Sequence, residues 1–433
     1  MKSSQWFFLF CAALAAPLLS AQPAPGAIRL GSHTAKYASD GSLLPWTSWS
    51  DALDREMAWY FRGPMEHGYP RFITLTFMDG NYQPIADRHD FIPAMQNGIG
   101  IISYLKYYHL KGGKNPEALR FARYMGDYLV KESLTPDTGK YPRFTRSTGV
   151  REKFPQPPDS GTQDDKPYEI QPDKGAIAGY GLALLYRETK DQRYLDQALQ
   201  NARVLVANLR AGDATHSPWP FRADYRTGEA RGEISGNMSF SLRLFDELIA
   251  LGHPEFSAPR GKVWAWIRDY QIPSAAKKGS LFMQFFEDHH SPDNRTAWAP
   301  LNLARYLIER KEKADPEWQK HAHLLIEFVG KTFTSIRFGV AVCGEQDEDR
   351  EPWGGINSTY GAVLALYSAA TGSPEYRRIA QQVMTFVLYA VDDDGCARDS
   401  LIENRRGGWQ EDAHTDKVHN VIDAMTAFPD WAK

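Results

Sequence analysis

Ala176-Ile177-Ala178-Gly179-Tyr180-Gly181-Leu182-Ala183-Leu184-Leu185 is apolar nearly all round and rich in Gly and Ala. Such a composition suits a helix enclosed by other helices on every side. A short polar turn follows at Asp191-Gln192-Arg193. The next segment then sets Leu195, Ala198, Ala202, Leu205 and Leu209 on one stripe, with Asp196, Gln197, Gln200 and Arg203 turned away. That is an amphipathic helix with one face on the protein and the other in water. The stretch reads as a hairpin of one inner and one outer helix.

The hairpin recurs along the chain. Its turns read Asn115-Pro116-Glu117, Asp191-Gln192-Arg193, His253-Pro254-Glu255, Asp315-Pro316-Glu317 and Ser373-Pro374-Glu375, with middle residues 76, 62, 62 and 58 positions apart. A near-constant period of this size marks a repeat architecture. Asn, Asp or Ser can cap the orphan amides of the helix that follows, and Pro is tolerated at its first position. Gly361-Ala362-Val363-Leu364-Ala365-Leu366-Tyr367 is another run of the inner type.

Twelve helical segments are predicted, at 48–61, 92–110, 116–133, 174–189, 192–210, 235–251, 256–271, 295–312, 316–331, 355–371, 374–391 and 417–427. Six inner and six outer helices make an all-α protein, an (α/α)6 barrel in which the first helix is the outer partner of the last. An open α-solenoid of the same hairpins is the alternative. Loop lengths favour the barrel. Turns from inner to outer helices take a few residues, whereas the returns run from about 134 to 173, 211 to 234, 272 to 294, 332 to 354 and 392 to 416. Long connections gathered at one end of a fold carry function more often than structure. The predicted active face is therefore the one at the N-terminal ends of the inner helices.

Residues 1–21 hold one basic residue, Lys2, an apolar stretch from Trp6 to Leu19 and a small-residue exit at Leu19-Ser20-Ala21. This is the pattern of a secretory signal peptide, with an apolar core too short to span a bilayer. The expected protein is secreted or periplasmic, with residues 22–433 forming a single barrel domain. Cys343 and Cys396 then remain, and both a disulfide and two separate thiols are compatible with an oxidising compartment. The formal net charge is −3, from 50 Lys and Arg against 53 Asp and Glu. With charges interspersed, no patch suggests nucleic acid or an anionic membrane as partner. The oligomeric state is not readable.

The long connections are crowded with acids, bases and Trp, as expected of a pocket for a polyhydroxylated, anionic ligand. Glycoside hydrolysis needs two carboxyl groups flanking one bond, an acid with a raised pKa and a second that stays ionised. Asp173 and Glu345, each at the mouth of an inner helix, are the leading pair, with Glu287 next. Asp173 reads equally as a helix cap. Arg222 and Arg295 could clamp a uronic carboxylate through the planar fork of guanidinium, or each could sit in an ordinary ion pair. Trp219 and Trp353 could stack on sugar or pack the loops. His89, Tyr225, His289, Tyr360 and His414 complete the predicted substrate-binding set. No metal is expected, because neither His-Glu-x-x-His nor Cys/His ligand spacing occurs, and no cofactor is implied.

Pro172-Asp173-Lys174-Gly175-Ala176 running into Leu184-Leu185-Tyr186-Arg187-Glu188-Thr189-Lys190-Asp191, and Leu366-Tyr367 followed by Thr371-Gly372, resemble the six-hairpin glycosidase superfamily. The resemblance spans nearly all of the chain after residue 21 and implies the (α/α)6 barrel. Within that superfamily, Phe286-Glu287-Asp288 with Asn294-Arg295-Thr296, and Cys343-Gly344-Glu345-Gln346, are similar to bacterial exo-β-glucuronidase-type families. Uronic-acid lyases and glucuronyl C5-epimerases are relatives. The Trp-x-Arg-Gly motif of unsaturated glucuronyl hydrolases does not occur, so hydration of a 4,5-unsaturated sugar is not implied. Three functions stand: hydrolysis of a uronate-containing glycan, a lyase or C5-epimerase on the same fold, and non-catalytic glycan binding.

Overall fold

The structure, a computed structural model, describes residues 28–74, 77–83, 92–147, 166, 168–275, 280–283, 293–401, 409–410 and 416–433. Residues 1–21, Glu287, His89, His289 and His414 lie outside them. Twelve principal helices appear among the described residues: α1 (Trp49–Phe61), α2 (Pro93–Leu110), α3 (Pro116–Lys131), α4 (Pro172–Thr189), α5 (Gln192–Ala207) and α6 (Ser239–Ala250). They continue as α7 (Ser257–Trp266), α8 (Trp298–Arg310), α9 (Trp318–Phe333), α10 (Gly354–Thr371), α11 (Pro374–Leu388) and α12 (Val418–Ala427).

The even-numbered helices form the inner ring. α2 packs on α4, α4 on α6, α6 on α8, α8 on α10, α10 on α12, and α12 returns to α2. That last contact closes an (α/α)6 barrel and excludes the open solenoid. α1 packs against α12 as its outer partner. Inner helices approach closely because Gly lines the contacts. A Cβ on Gly181 would lie 2.5 Å from the carbonyl oxygen of Gly98, so α2 and α4 could not cross at this separation with Ala at either position. Outer helices bury one stripe each, as α3 does with Ala118, Phe121, Ala122, Met125 and Leu129. That burial supplies most of their stability.

The short turns are built as the sequence predicts, with differences of detail. The Asn115 side chain accepts from the Ala118 amide at 3.1 Å and that of Asp191 from the Arg193 amide at 3.2 Å. Ser373 makes no side-chain cap, and Pro374 alone opens α11. The seventh helix widens into π turns over Ile267–Gln271 before ending at Ser274. Pro273 accounts for this, since its ring clashes with the carbonyl of Asp269 and lacks the N–H that would bond to it. Gln171, rather than Asp173, is the cap residue of α4, which starts at Pro172.

The long connections carry small β elements that the sequence reading did not predict. Arg222–Asp224 pairs with Glu169–Ile170 on one side and Ala230–Arg231 on the other. Thr334–Arg337 and Val340–Cys343 form a hairpin, and Trp409–Gln410 pairs with Phe77–Met78. Cys343 and Cys396 are both free and buried, which removes the disulfide alternative. Burial pushes the Cys396 thiol up to about 12 and that of Cys343 higher still.

Candidate active site

Each hairpin runs inner helix first, so all six inner helices point their N-termini at the same end. Their macrodipoles converge there, and partial positive charge favours carboxylates in the first turns and anionic groups above them. Asp173 occupies such a turn. Local packing fixes it: buried Asn201 of α5 donates to the Gly175 carbonyl at 2.9 Å. A Cβ on Gly175 would lie 2.2 Å from the Phe144 ring, so that site has room for hydrogen alone.

Asp173 Oδ1 accepts the Lys174 amide and Oδ2 meets Lys174 Nζ, both at 3.0 Å, with the two side chains 1% and 0% exposed. Burial raises the Asp173 carboxyl above its ordinary range even though Lys174 pulls the other way. The Lys174 ammonium lies 5.9 Å from the centre of the Phe221 ring, and the Arg222 guanidinium stacks 4.3 Å from the same centre. Arg222 is buried, and its backbone is held by the three-stranded sheet. Glu169 of that sheet is gripped by Arg231, with Nε to Oε1 at 2.9 Å.

Glu345 lies in the connection before α10, against the start of α8. Its amide donates to the Asp349 carbonyl at 3.1 Å and its own carbonyl accepts from Ala297 at 2.9 Å. The carboxylate is half-buried and accepts a hydrogen bond from the Trp298 indole at 2.7 Å. A polar side chain at the mouth, held by its backbone and by a fixed indole, is pre-oriented.

The other predicted residues divide by placement. Arg295 is forked onto Asp347 at 2.7 and 3.0 Å, and Arg350 reaches the same carboxylate at 2.5 Å, so Arg295 serves the ion pair of the alternative reading. Trp219 is buried, with its indole donating to the Leu205 carbonyl at 2.9 Å, which makes it a packing residue. Trp353 is also buried and donates to Asp349 at 3.1 Å. Tyr360 lies in the layer between α10 and α9, its hydroxyl near Gly330, and so faces away from the barrel interior. Tyr225 ties two connections together through its backbone, bonding to Tyr168, Lys140 and Tyr141.

Sequence reasoning missed a second polar layer inside the barrel. Arg305 of α8 donates to His419 Nδ1 at 3.0 Å and to Asn420, and lies 3.3 Å from Asp423. Lys106 of α2 reaches Asp423 at 2.5 Å, while Asn420 donates to Ser358 and Thr359 at 2.9 Å. Burial, with Arg305 and Lys106 nearby, pushes His419 down to about 3 and leaves its ring neutral. Beside it, Lys417 and Glu56 are buried 3.4 Å apart, and burial lifts Glu56 to about 7. Asp399, accepting from the Gly355 amide at 3.0 Å, is lifted by burial to about 6. Arg305 and Lys106 gave no signal, because an isolated charge in a helix reads as its wet face.

No family model matches the sequence, and no curated protein matches it by sequence comparison. Its structure is similar to solved ones. Cellobiose 2-epimerase from Spirochaeta thermophila superposes with a TM-score of 0.64 at 15% identity, over 88% of this chain and 95% of that one. D-mannose isomerase gives 0.62 at 12% identity, over 90% and 100%. A family 76 glycoside hydrolase from a bovine Bacteroides thetaiotaomicron strain gives 0.59 at 13%, over 89% and 78%. These proteins share the six-hairpin (α/α)6 fold with this chain, and at such identities the likeness is one of fold alone.

Proposed function

We propose that the protein is an exported carbohydrate-active enzyme, a glycoside hydrolase of a uronate-bearing glycan, with Asp173 as proton donor and Glu345 as the ionised partner. The observation that carries this reading is that two carboxyl groups at the N-terminal end of the inner helices stand in unlike surroundings. Asp173 is enclosed and raised; Glu345 is half-buried, held by an indole. Environments that separate two carboxyl pKa values are how one site supplies both an acid and a base. Arg222, stacked with Lys174 about the Phe221 ring beside Asp173, is the guanidinium proposed to meet the uronate carboxylate. The six-hairpin neighbours include a glycoside hydrolase, consistent with this chemistry.

A second reading is a lyase or C5-epimerase on the same fold, in which a base such as His289 or Tyr225 takes the proton next to a carboxylate; the structural neighbours include an epimerase and a polysaccharide lyase. Incubation with glucuronoxylan oligosaccharides separates the two. Hydrolysis yields new reducing ends with no gain in ultraviolet absorbance. An absorbing unsaturated uronate would identify a lyase, and deuterium uptake from heavy water without cleavage an epimerase; either result would overturn the hydrolase reading.

A further inference from the structure

The end of the barrel opposite the mouth holds a second candidate site. A cleft of about 810 Å³ opens between the α8–α9 and α10–α11 hairpins, at the short-turn end, and it is lined by Trp318, Gln319, His323, Tyr367, Ser373 and Tyr376 among others. Its size falls within the roughly 300–1,000 Å³ of ordinary ligand clefts. Nothing in the proposed chemistry at the mouth uses it.

Its wall is aromatic and fixed. Tyr367 and Tyr376 meet edge to face at 5.4 Å, and His323 stacks on Tyr367 with 6.1 Å between centroids. Each ring is pinned through its polar atom: Tyr376 donates to Glu327 at 2.8 Å and lies 3.2 Å from His323 Nδ1, while Trp318 donates to Glu312 at 3.0 Å. The Tyr367 hydroxyl reaches the Gln319 carbonyl at 3.5 Å. Around the rings stand Glu312, Glu317 and Lys320, the last two paired at 2.6 Å, with Ser373 and Gln319. Rigid rings beside short polar groups of both signs suit a ligand with apolar C–H faces and many hydroxyls. A strong anion is disfavoured by the two glutamates, and a purely apolar ligand by the polar rim.

We propose that this cleft is a non-catalytic sugar-binding site that holds a neutral stretch of the glycan processed at the mouth. Sugar rings lie against Tyr376 and His323, with their hydroxyls directed to Gln319, Ser373 and Glu317. The proposal rests on the glycan-acting reading and adds a function to the other end of the barrel. Two sites on opposite ends would keep the enzyme on a polymer between turnovers, a gain in effective concentration without any new contact at the mouth.

Affinity electrophoresis through gels carrying soluble glucuronoxylan or α-mannan, run on the whole protein with Glu345→Gln as background, tests it. Retardation by at least one polymer is expected, weakened about fivefold or more by His323→Ala and again by Tyr376→Ala. His323 is an exposed ring, so its variant keeps the fold; equal melting temperatures confirm that for both. Retardation that both variants leave unchanged, or none by any polymer, overturns the proposal. The mouth is read separately: turnover of short substrates by His323→Ala should equal that of the parent. Turnover without cleft-dependent retardation removes this site and keeps the enzyme, whereas cleft-dependent retardation without turnover on any glycan does the reverse.

Discussion

The two ends of the barrel are built from the same six hairpins and differ in almost everything else. At one end inner helices pass to outer ones through capped turns, with Lys190 and Gly372 in the left-handed conformation that ends a helix sharply. At the other, outer helices return through long connections that add small sheets, forked ion pairs and buried carboxyls. Helix polarity explains part of the contrast. Six N-termini converge at the long-connection end, and their positive dipole ends favour the carboxylates found there and the anionic sugars proposed to bind. The barrel thereby sets the capped structural turns apart from the end where the proposed chemistry lies.

Three substitutions test that contrast at its two ends. The largest effect belongs to Glu345→Gln, which should lower turnover of a glycan substrate by about 10² to 10⁴-fold, the span of a lost acid–base group, while leaving the melting temperature in place. Lys174→Ala comes next. It strands Asp173 in a fully buried site and should cost about 3–5 kcal/mol in denaturant unfolding, the penalty of breaking a buried pair from one side. Asn115→Ala, at the opposite end, should cost only about 1 kcal/mol and leave kcat/KM unchanged, because its amide cap supports one helix and nothing at the mouth.

A separate effect is expected in pH dependence. Glu56 is lifted from 4.5 to about 7 by burial, so between those values the folded protein holds a proton that the unfolded chain has lost. Its contribution to stability is complete below about pH 4.5 and disappears as pH rises through 7. Asp399, lifted to about 6, acts in the same direction, whereas His419, pushed down to about 3, contributes stability above about pH 6.5 that is lost on acidification. Glu56→Gln should therefore flatten the fall in melting temperature between about pH 5 and about pH 8. An unchanged slope would show that Glu56 does not titrate in this range.

Much of this was legible in the sequence. Gly/Ala-rich runs such as Ala176 to Leu185 and one-sided stripes such as Leu195 to Leu205 separated inner from outer helices, because helical periodicity is a local property. Placing Asp173 and Glu345 at helix mouths followed from the same pattern. The partners of site residues were not legible. Arg295 and Asp347 are 52 positions apart, and nothing local distinguishes a guanidinium that meets a carboxylate from one that awaits a ligand. Strands of two to four residues, as at Glu169–Ile170 and Thr334–Arg337, are too short for a period of two to register. The polar layer of Lys106, Arg305, His419 and Asp423 exists only once the ring closes, bringing α2, α8 and α12 together.

The claim that chemistry resides at the N-terminal ends of the inner helices is tested most directly by a crystal structure of Glu345→Gln soaked with a glucuronoxylan oligosaccharide. Sugar density at the mouth, with a glycosidic oxygen between Asp173 and residue 345 and a carboxylate near Arg222, is the predicted result. Sugar confined to the short-turn end, with the mouth empty at saturating ligand, would contradict it.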